Sequence, residues 1–408
     1  MGSMSHTAIA AGTPEFTRIN RAMVFGGFST FALLYCVQPL MPLLAHQFTL
    51  TPAQSSWALS VSTAALALSL LLSSALSDRI GRKRLMAGAM PSGAVLTLLC
   101  ALAQDYSQLL ALRALLGFAL GGMPAVAMAY LSEEIEGPSL GFSMGLYIGG
   151  SAFGGMLGRV LTSVVSDFFS WRAALAAMGA AGLYAGWEFW RSLPPSRNFR
   201  PGQRGLAGLA GGVRAHASDP GLAWLFCLSF LLMGCFVSLY NYIGYRLLAA
   251  PFGLRQSVVG AFSALYLIGI FSSVWAGRLA DRIGRRNVLW VVMAAMLAGL
   301  LLTLAQSLAA IVLGMGLFTF GFFASHSVAS SWVGRRARAP QALASALYLF
   351  FYYLGSSIIG SLSGAMWSGG GWSGVVALLA VTLGLAVLIA LHLRSLAPLE
   401  PAALAKAA

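Results

Sequence analysis

Residues 74–84 read SALSDRIGRKR, and residues 277–286 read GRLADRIGRR. The two stretches share the string Asp-Arg-Ile-Gly-Arg, and Asp78 and Asp281 lie 203 residues apart in a chain of 408 residues. Each stretch is a short charged segment between two long apolar runs. A charged turn that recurs at half the chain length predicts a duplicated membrane domain, in which each half carries the same turn.

The composition is that of a membrane protein. Hydrophobic residues make up 58% of the chain and charged residues only 9%, which leaves too few polar side chains to cover the surface of a soluble fold. The four cysteines lie in apolar runs without the spacing of metal ligands, so no metal site is expected. The formal charge of +14 is divided among short loops, and nucleic acid is therefore not an expected partner.

Twelve apolar runs are long enough to cross a bilayer as helices, six in each half. They lie at roughly 19–45, 53–77, 85–104, 108–132, 140–165, 172–190, 221–249, 256–280, 287–306, 309–333, 341–367 and 373–393. The predicted units are an N-terminal tail (1–18), a six-helix bundle (19–191), a linker (192–220), a second six-helix bundle (221–394) and a C-terminal tail (395–408).

Lys and Arg are distributed very unequally between the two sides of the predicted bundle. Of the 25 basic residues, 20 fall on the side of the chain termini and the linker, 3 on the other side and 2 inside spans. Because cytoplasmic loops of membrane proteins carry the excess of Lys and Arg, this predicts that both termini are cytoplasmic.

The repeated turn resembles the signature of the major facilitator superfamily, a Gly-x-x-x-Asp-Arg-x-Gly-Arg-Arg pattern between spans 2 and 3. The copy at 277–286 matches it fully, and the copy at 74–84 has Ser74 at the leading position. In span 4, residues 112–122 (LRALLGFALGG) are similar to the Arg-x-x-x-Gly signature of proton-driven exporters. In span 5, residues 145–158 (GLYIGGSAFGGMLG) are similar to a glycine-rich antiporter motif, without its Gly-Pro pair.

The resemblance implies an all-α membrane protein with twelve transmembrane helices in two pseudo-symmetric six-helix bundles. It implies a secondary active transporter rather than an enzyme, which exports a small organic molecule in exchange for protons by alternating access. The expected setting is the bacterial inner membrane, with a monomeric protein, no cofactor, and the substrate, protons and lipid bilayer as partners. The alternatives are an importer or facilitator of the same fold and, from another class, a membrane-embedded enzyme or lipid-handling protein.

Two arginines lie inside predicted spans. Arg113 is in span 4 and Arg159 in span 5, where a charge is costly unless it faces a wet cavity or a partner. Each arginine either caps backbone carbonyls or belongs to the substrate cavity, where Arg113 would contact the substrate or a proton-sensitive network. No Asp or Glu falls mid-membrane, so the charge that these arginines place inside the bundle is positive. It favours a neutral, zwitterionic or anionic substrate.

Two amides share the 203-residue offset of the turns. Gln38 in span 1 and Asn241 in span 7 would face each other across a central cavity, flanked by Tyr35, Tyr240 and Tyr242. Amide and phenol groups bind polar organic molecules without requiring a fixed charge. The alternative is that they hydrogen-bond neighbouring helices to one another.

The turn motifs are predicted to act as gating latches, or else as anchors on the cytoplasmic side. The latch residues are Asp78, Arg79, Arg82, Asp281 and Arg282. A carboxylate at a helix end accepts hydrogen bonds from nearby Arg and from neighbouring helix N-termini.

Span 10 contains His326, the mid-membrane histidine, which either carries a coupling proton or is a hydrogen-bonded packing residue. The glycines of span 5 are predicted to allow close packing at the moving interface between the halves. These glycines are Gly145, Gly149, Gly154, Gly155 and Gly158.

Overall fold

The computed structural model describes residues 8–199, 206–337 and 341–396. The predicted tails and linker fall partly outside these ranges, as does the side chain of Ser74. The first half contains the helices α1 (Pro14–Gln47), α2 (Pro52–Ile80), α3 (Arg82–Ala101), α4 (Tyr106–Glu134), α5 (Gly137–Phe168) and α6 (Trp171–Ser192). The second half contains α7 (Pro220–Leu248), α8 (Gln256–Ile283), α9 (Arg285–Leu302), α10 (Leu308–Arg336) and the stretch Gln341–Ser395, which divides at Gly371 into α11 and α12.

Ten helical stretches in the described ranges are long and apolar enough to cross a membrane. The last of them, Leu343–Ser395, has 53 residues, about twice what one crossing needs, and Gly371 breaks it with a φ of 57°. The 22 residues of α6 add a further span of about 33 Å. The prediction of twelve transmembrane helices in two six-helix bundles is therefore confirmed.

Several helices begin at a capping residue followed by proline. The side chains of Thr13, Thr51 and Asp219 each accept a hydrogen bond from a backbone N–H of the first turn. The proline at the next position has no N–H that would need a partner. Asp219 also accepts a hydrogen bond of 2.6 Å from Arg336 Nε at the end of α10. Burial acts to raise the pKa of Asp219, but the hydrogen bonds and charge that it receives outweigh burial and hold the pKa below its usual value. This pair ties the start of α7 to α10.

The two copies of the charged turn have the same backbone. Gly81 has φ 92° and ψ 147°, and Gly284 has φ 88° and ψ 141°. A side chain in this region is strained, so both copies require glycine to break the chain between two helices. The repeat in sequence is thus a repeat in conformation.

Helix packing repeats as well. In the first half, Gly154 of α5 lies against the backbone of Phe28 in α1, so closely that a β-carbon would overlap it. In the second half, Gly355 of α11 lies in the same way against the backbone of Phe230 in α7. Glycine thus sets the distance between the matching helix pairs.

The two halves meet where α2 lies beside α11 and α5 lies beside α8. We call the end of the bundle with the linker helix (Leu206–Ala217) the linker end and the opposite end the far end. The hydrogen bonds and ion pairs between the halves cluster from the middle of the bundle to the far end. They include Thr63–Ser357 (2.7 Å), Ser60–Ser361 (3.0 Å), Ser55–Tyr245 (2.5 Å) and Asp167–Arg255 (3.3 Å).

Candidate functional site

The centre of the site is a hydrogen bond between the halves. Gln38 Nε2 donates to Asn241 Oδ1 over 2.6 Å and to the carbonyl oxygen of Val237 over 3.3 Å. Gln38 begins a short 3-10 turn, which interrupts α1, contains Pro39 and is followed by Pro42. The structure therefore brings together the two amides that share the 203-residue offset.

Arg159 of α5 completes a chain of polar contacts with these amides. Its Nε donates to Gln38 Oε1, and its Nη1 donates to the carbonyl oxygen of Gly155 over 2.5 Å. The guanidinium carbon lies 4.2 Å from the ring centroid of Tyr35 and 5.0 Å from that of Tyr266. Arg159 is only 3% exposed, and no Asp or Glu within the described ranges lies at ion-pair distance from it. Its charge is thus balanced by dipoles and aromatic faces alone.

Three polar atoms around Arg159 have spare hydrogen-bonding capacity. The hydroxyl oxygens of Tyr35 and Tyr266 and the Nδ2 of Asn241 are buried and have no hydrogen-bond partner among the described residues. Buried polar groups are usually paired, so three such groups beside one buried cation indicate a place where a polar ligand completes the network.

Aromatic side chains of the second half continue from Tyr266 into the bundle. Tyr240 and Tyr266 meet edge to face at 5.1 Å between ring centroids, and Phe236 stacks on Phe322 at 3.8 Å. We call this set the aromatic cluster: Phe236, Tyr240, Tyr266, Phe322, Phe323, His326, Tyr348 and Tyr352. The cluster offers a rigid apolar surface with hydroxyl groups at its edge.

A narrow cleft with a cavity volume of about 30 Å³ lies between α1, α5, α7 and α8. Arg159, Gln38, Asn241 and Tyr240 line it on the inner side, and Gln256 closes it by donating to the carbonyl oxygen of a proline of the α1 turn over 2.5 Å. The cleft is therefore bounded by both halves of the molecule.

Arg113 is placed away from this cleft. It is fully buried, and its guanidinium donates to the carbonyl oxygens of Ala58 (2.9 Å), Leu33 (3.1 Å) and Leu34 (2.5 Å). Because α1 is interrupted after Tyr35, nearby carbonyls lack the full set of helical donors, and Arg113 supplies them. The structure thus favours the carbonyl-capping alternative for Arg113 over a substrate contact.

Tyr242 also lies outside the cleft. Its hydroxyl donates to the carbonyl oxygen of Gly360 over 2.7 Å and joins α7 to α11. The reason is helical geometry, since Tyr242 is two residues from Tyr240 and points to another side of α7. Tyr242 therefore does not line the cleft in this structure, and its place in the substrate cavity stays a prediction.

His326 packs within the aromatic cluster. Its Nδ1 lies 3.0 Å from the hydroxyl of Tyr348, and its ring stacks on Phe322 and lies 4.9 Å from Tyr352. This histidine is therefore hydrogen-bonded to a tyrosine rather than to a carboxylate. Its role in proton coupling stays a prediction.

The two charged turns differ in their partners. In the first, Arg82 bridges Asp78 and Glu133, each at 2.9 Å. In the second, Arg285 contacts Asp281 at 2.9 Å and the hydroxyl of Ser331 at 3.1 Å. The remaining predicted latch residues, Arg79 and Arg282, are exposed.

The glycines of α5 lie in two different environments. Gly154 and Gly158 lie against the backbone of α1, and Gly155 accepts the hydrogen bond from Arg159. Gly145 and Gly149 have open space where a side chain would be. Close packing at Gly154 and Gly158 is thus within one half, and a place for these glycines at the moving interface between the halves stays a prediction.

Close approaches between the halves occur at other glycines. Gly260 of α8 meets Ser163 of α5, and Gly364 of α11 meets the backbone of Ala53 in α2. These glycines were missed by the sequence reasoning, as were Tyr266 and Gln256, because none of them belongs to a repeated motif.

Comparisons with known proteins agree with this architecture. The model of the Major Facilitator Superfamily matches residues 23–247 and again 243–408. The Inner membrane transport protein YnfM of Escherichia coli (strain K12) is 50% identical over 391 residues, which cover 96% of this chain and 94% of that protein. The chain belongs to the Major Facilitator Superfamily.

Further relatives in this superfamily are also described as transporters. The Uncharacterized MFS-type transporter YybF of Bacillus subtilis (strain 168) is 45% identical and covers 92% of this chain and 93% of its own length. Among solved structures, a bacterial homologue of the human lysosomal transporter Spinster, in an inward-facing and unoccupied conformation, has a TM-score of 0.79 at 15% identity. The alignment covers 94% of this chain and 98% of the Spinster homologue. The superfamily resemblance read from the turns is confirmed, and the chain is a membrane transporter rather than an enzyme.

Proposed function

We propose that this protein exports a small organic molecule across the bacterial inner membrane in exchange for protons, by alternating access around the Gln38–Asn241 contact. The observation that carries the proposal is this hydrogen bond of 2.6 Å between the halves, beside a buried arginine that has no counterion among the described residues. A binding site at the boundary of two bundles is what a rocking mechanism requires, because each bundle then leaves the substrate on one side in turn. The name of the Escherichia coli relative, an inner membrane transport protein, supports the inner-membrane setting.

The arrangement of contacts fits a state that is closed at the far end. If the basic linker end is cytoplasmic, as the distribution of Lys and Arg predicts, this state opens inward. In the reverse state, the contacts of Ser60 with Ser361 and of Asp167 with Arg255 must break. The protein is proposed to act as a monomer with both termini in the cytoplasm.

Purified protein in proteoliposomes tests transport itself. The panel consists of labelled benzoate, benzamide, phenylalanine, uridine and glucose, and the compound that moves fastest is called the reference substrate below. We expect saturable uptake that empty liposomes lack. Uptake no faster than in empty liposomes for every panel compound contradicts the proposed function.

Proton exchange is the finer part of the proposal, with His326 as the titrating group inside the spans. Inverted vesicles with an acidified interior, loaded with a pH-sensitive dye, should lose part of their proton gradient when the reference substrate is added. His326→Gln should abolish this response, and His46→Gln, at the exposed far end of α1, should leave it unchanged. A proton response that persists in His326→Gln rules out this carrier.

A facilitator without proton coupling is the second candidate. The observation in its favour is that no Asp or Glu lies mid-membrane, while His326 is bonded to Tyr348 inside the aromatic cluster. A facilitator shows counterflow of the reference substrate across proteoliposomes but no change in the proton gradient. An exporter that exchanges protons shows both.

A further inference from the structure

The buried charge of Arg159 is the starting point. A cation in the membrane interior is costly without an anion, and the described part of the chain offers Arg159 only carbonyl, amide and aromatic partners. The neighbouring acid on α5, Asp167, is engaged at the far end with Arg255 and Ser257. A counterion for Arg159 is therefore most readily supplied from outside the chain.

The spare hydrogen-bonding capacity around Arg159 is rich in donors. The guanidinium and the Asn241 Nδ2 are donors only, and the free hydroxyls of Tyr35 and Tyr266 each have a proton to donate. Such a set is complementary to a group that only accepts. A carboxylate has two acceptor oxygens and the planar shape that fits a guanidinium.

The surface next to these donors is aromatic. Tyr266 contributes its ring to Arg159 and its edge to Tyr240, so that the same side chain ends the polar region and begins the aromatic cluster. Phe236 lies 5.3 Å from Tyr266 between ring centroids. A ligand with its carboxylate at Arg159 therefore places its body against aromatic rings.

Gln38 connects this position to the contact between the halves. Its side-chain oxygen accepts from Arg159, and its side-chain nitrogen donates to Asn241. An anion that binds Arg159 competes with Gln38 for the same donor. The loss of that bond frees the amide which holds the first half to the second.

We propose that the central site binds an aromatic monocarboxylate, with its carboxylate on Arg159 and its ring against the aromatic cluster, and that binding releases Gln38 from Arg159. This inference rests on the proposed function, since it names the substrate class of the same site. It accounts for the unpaired donors, for the counterion that Arg159 lacks among the described residues, and for the aromatic cluster beside Arg159.

The test is a binding measurement in detergent, which requires no transport. Thermal unfolding of the purified full chain is followed with benzoate, benzamide, cyclohexanecarboxylate and acetate. Benzoate should raise the unfolding temperature most and cyclohexanecarboxylate less, while benzamide, which keeps the ring but has no charge, should leave it unchanged. Equal stabilisation by benzamide and benzoate, or none by either, overturns the proposal.

Variants locate the effect. Arg159→Lys keeps the charge but loses the planar guanidinium that can bind both oxygens of a carboxylate. It should weaken the apparent affinity for benzoate by about 10-fold. Tyr266→Phe keeps the ring and removes one donor, so it remains informative if changes at Arg159 prevent folding; it too should weaken benzoate binding. Arg278→Gln, on the exposed side of α8, is the matched control and should bind like the wild type. Wild-type affinity in both Arg159→Lys and Tyr266→Phe contradicts the proposed site.

The two proposals fail in different ways. If benzoate binds in detergent as described but no panel compound enters proteoliposomes, the proposed function is wrong and the binding site stands. If benzamide or glucose is transported while benzoate neither binds nor moves, the function stands and the substrate class is wrong.

Discussion

The first half of the molecule contributes charge to the centre, and the second half contributes aromatic rings. Arg159, five residues after Gly154 of α5, stands at the polar end of the cleft, whereas the residue five positions after the matching Gly355 of α11 is Gly360, which faces Asn241 and has no side chain. The aromatic cluster, by contrast, belongs to the second half. Tyr240 of this cluster lies 203 residues after Val37, which is not aromatic. Duplication thus explains the scaffold, and divergence between the copies explains the site.

The charged turns show the same divergence at the linker end. The Asp78 side chain is 24% exposed, and its partner Arg82 also binds Glu133, whereas the Asp281 side chain is 60% exposed and its partner Arg285 reaches a serine. Identical backbones therefore hold a largely buried ion-pair network in one half and a more exposed one, in which Arg335 also lies 3.6 Å from Asp281, in the other. Differences between matched residues of the two halves provide the tests that follow.

The largest difference is expected between Arg159 and Leu362. Arg159→Gln removes the charge on which the polar network converges, and transport of the reference substrate should fall by about 100-fold. Leu362→Gln, on the exposed side of the matching helix α11, should transport within about 2-fold of the wild type, as a surface substitution with little energetic effect. Initial uptake rates are compared at equal amounts of reconstituted protein. Similar losses in the two variants would show that the centre is not asymmetric.

Gln38 and Asn241 are expected to matter equally and jointly. Replacing either by Leu removes the same hydrogen bond between the halves, so each single variant should slow transport of the reference substrate by about 10-fold. Because the two side chains act as one pair, the double variant should be no worse than about the worse single variant. Additive losses in this double-mutant cycle would mean that the amides act separately. A lower melting temperature with an unchanged transport rate would instead show that they only hold helices together.

The turns are expected to differ by a smaller amount. Asp78→Asn breaks the network that Arg82 forms with Glu133 and should slow transport by about 5-fold, whereas Asp281→Asn, which affects an exposed pair, should cost less than about 2-fold. Uptake rates are corrected for the amount of protein in the membrane by immunoblot. A larger loss in Asp281→Asn would show that transport depends more on the ion pairs of the second turn than on those of the first.

Substitutions at the closely packed glycines are expected to change stability rather than transport. Gly154→Ala forces a β-carbon into the backbone of α1 and should reduce stability by about 1–3 kcal/mol, and Gly355→Ala should do the same between α11 and α7. Gly149→Ala, which has open space, is the control and should be neutral or slightly stabilising. Thermal unfolding in detergent distinguishes them. Equal melting temperatures for Gly154→Ala and Gly149→Ala would contradict the described packing.

The sequence was sufficient for the architecture, because a repeated charged turn between apolar runs has one simple structural explanation. It also singled out Gln38 and Asn241, since residues at equal offsets occupy equivalent places in two copies. It did not separate Arg113 from Arg159, because both are arginines within apolar spans. Only the three-dimensional position shows that Arg113 completes the broken end of α1, whereas Arg159 faces the cleft.

Other features left no readable signal. The aromatic residues of the second half look in sequence like lipid-facing or core residues, and Tyr266 has no repeated counterpart to draw attention to it. The glycine spacing in α5 shows that a helix can approach closely but not which helix does so. Gly154 and Gly158 meet α1, while contacts between the halves use Gly260 and Gly364.

Locking the two halves together tests the central claim of alternating access most directly. The hydroxyl oxygens of Ser60 in α2 and Ser361 in α11 are 3.0 Å apart, so Ser60→Cys/Ser361→Cys should form a disulfide under mild oxidation. We predict that the crosslinked protein no longer transports the reference substrate, that reduction restores transport, and that the single variant Ser60→Cys is unaffected by the same treatment. Unchanged transport by fully crosslinked protein would contradict the account, because the halves could not then need to separate at the far end.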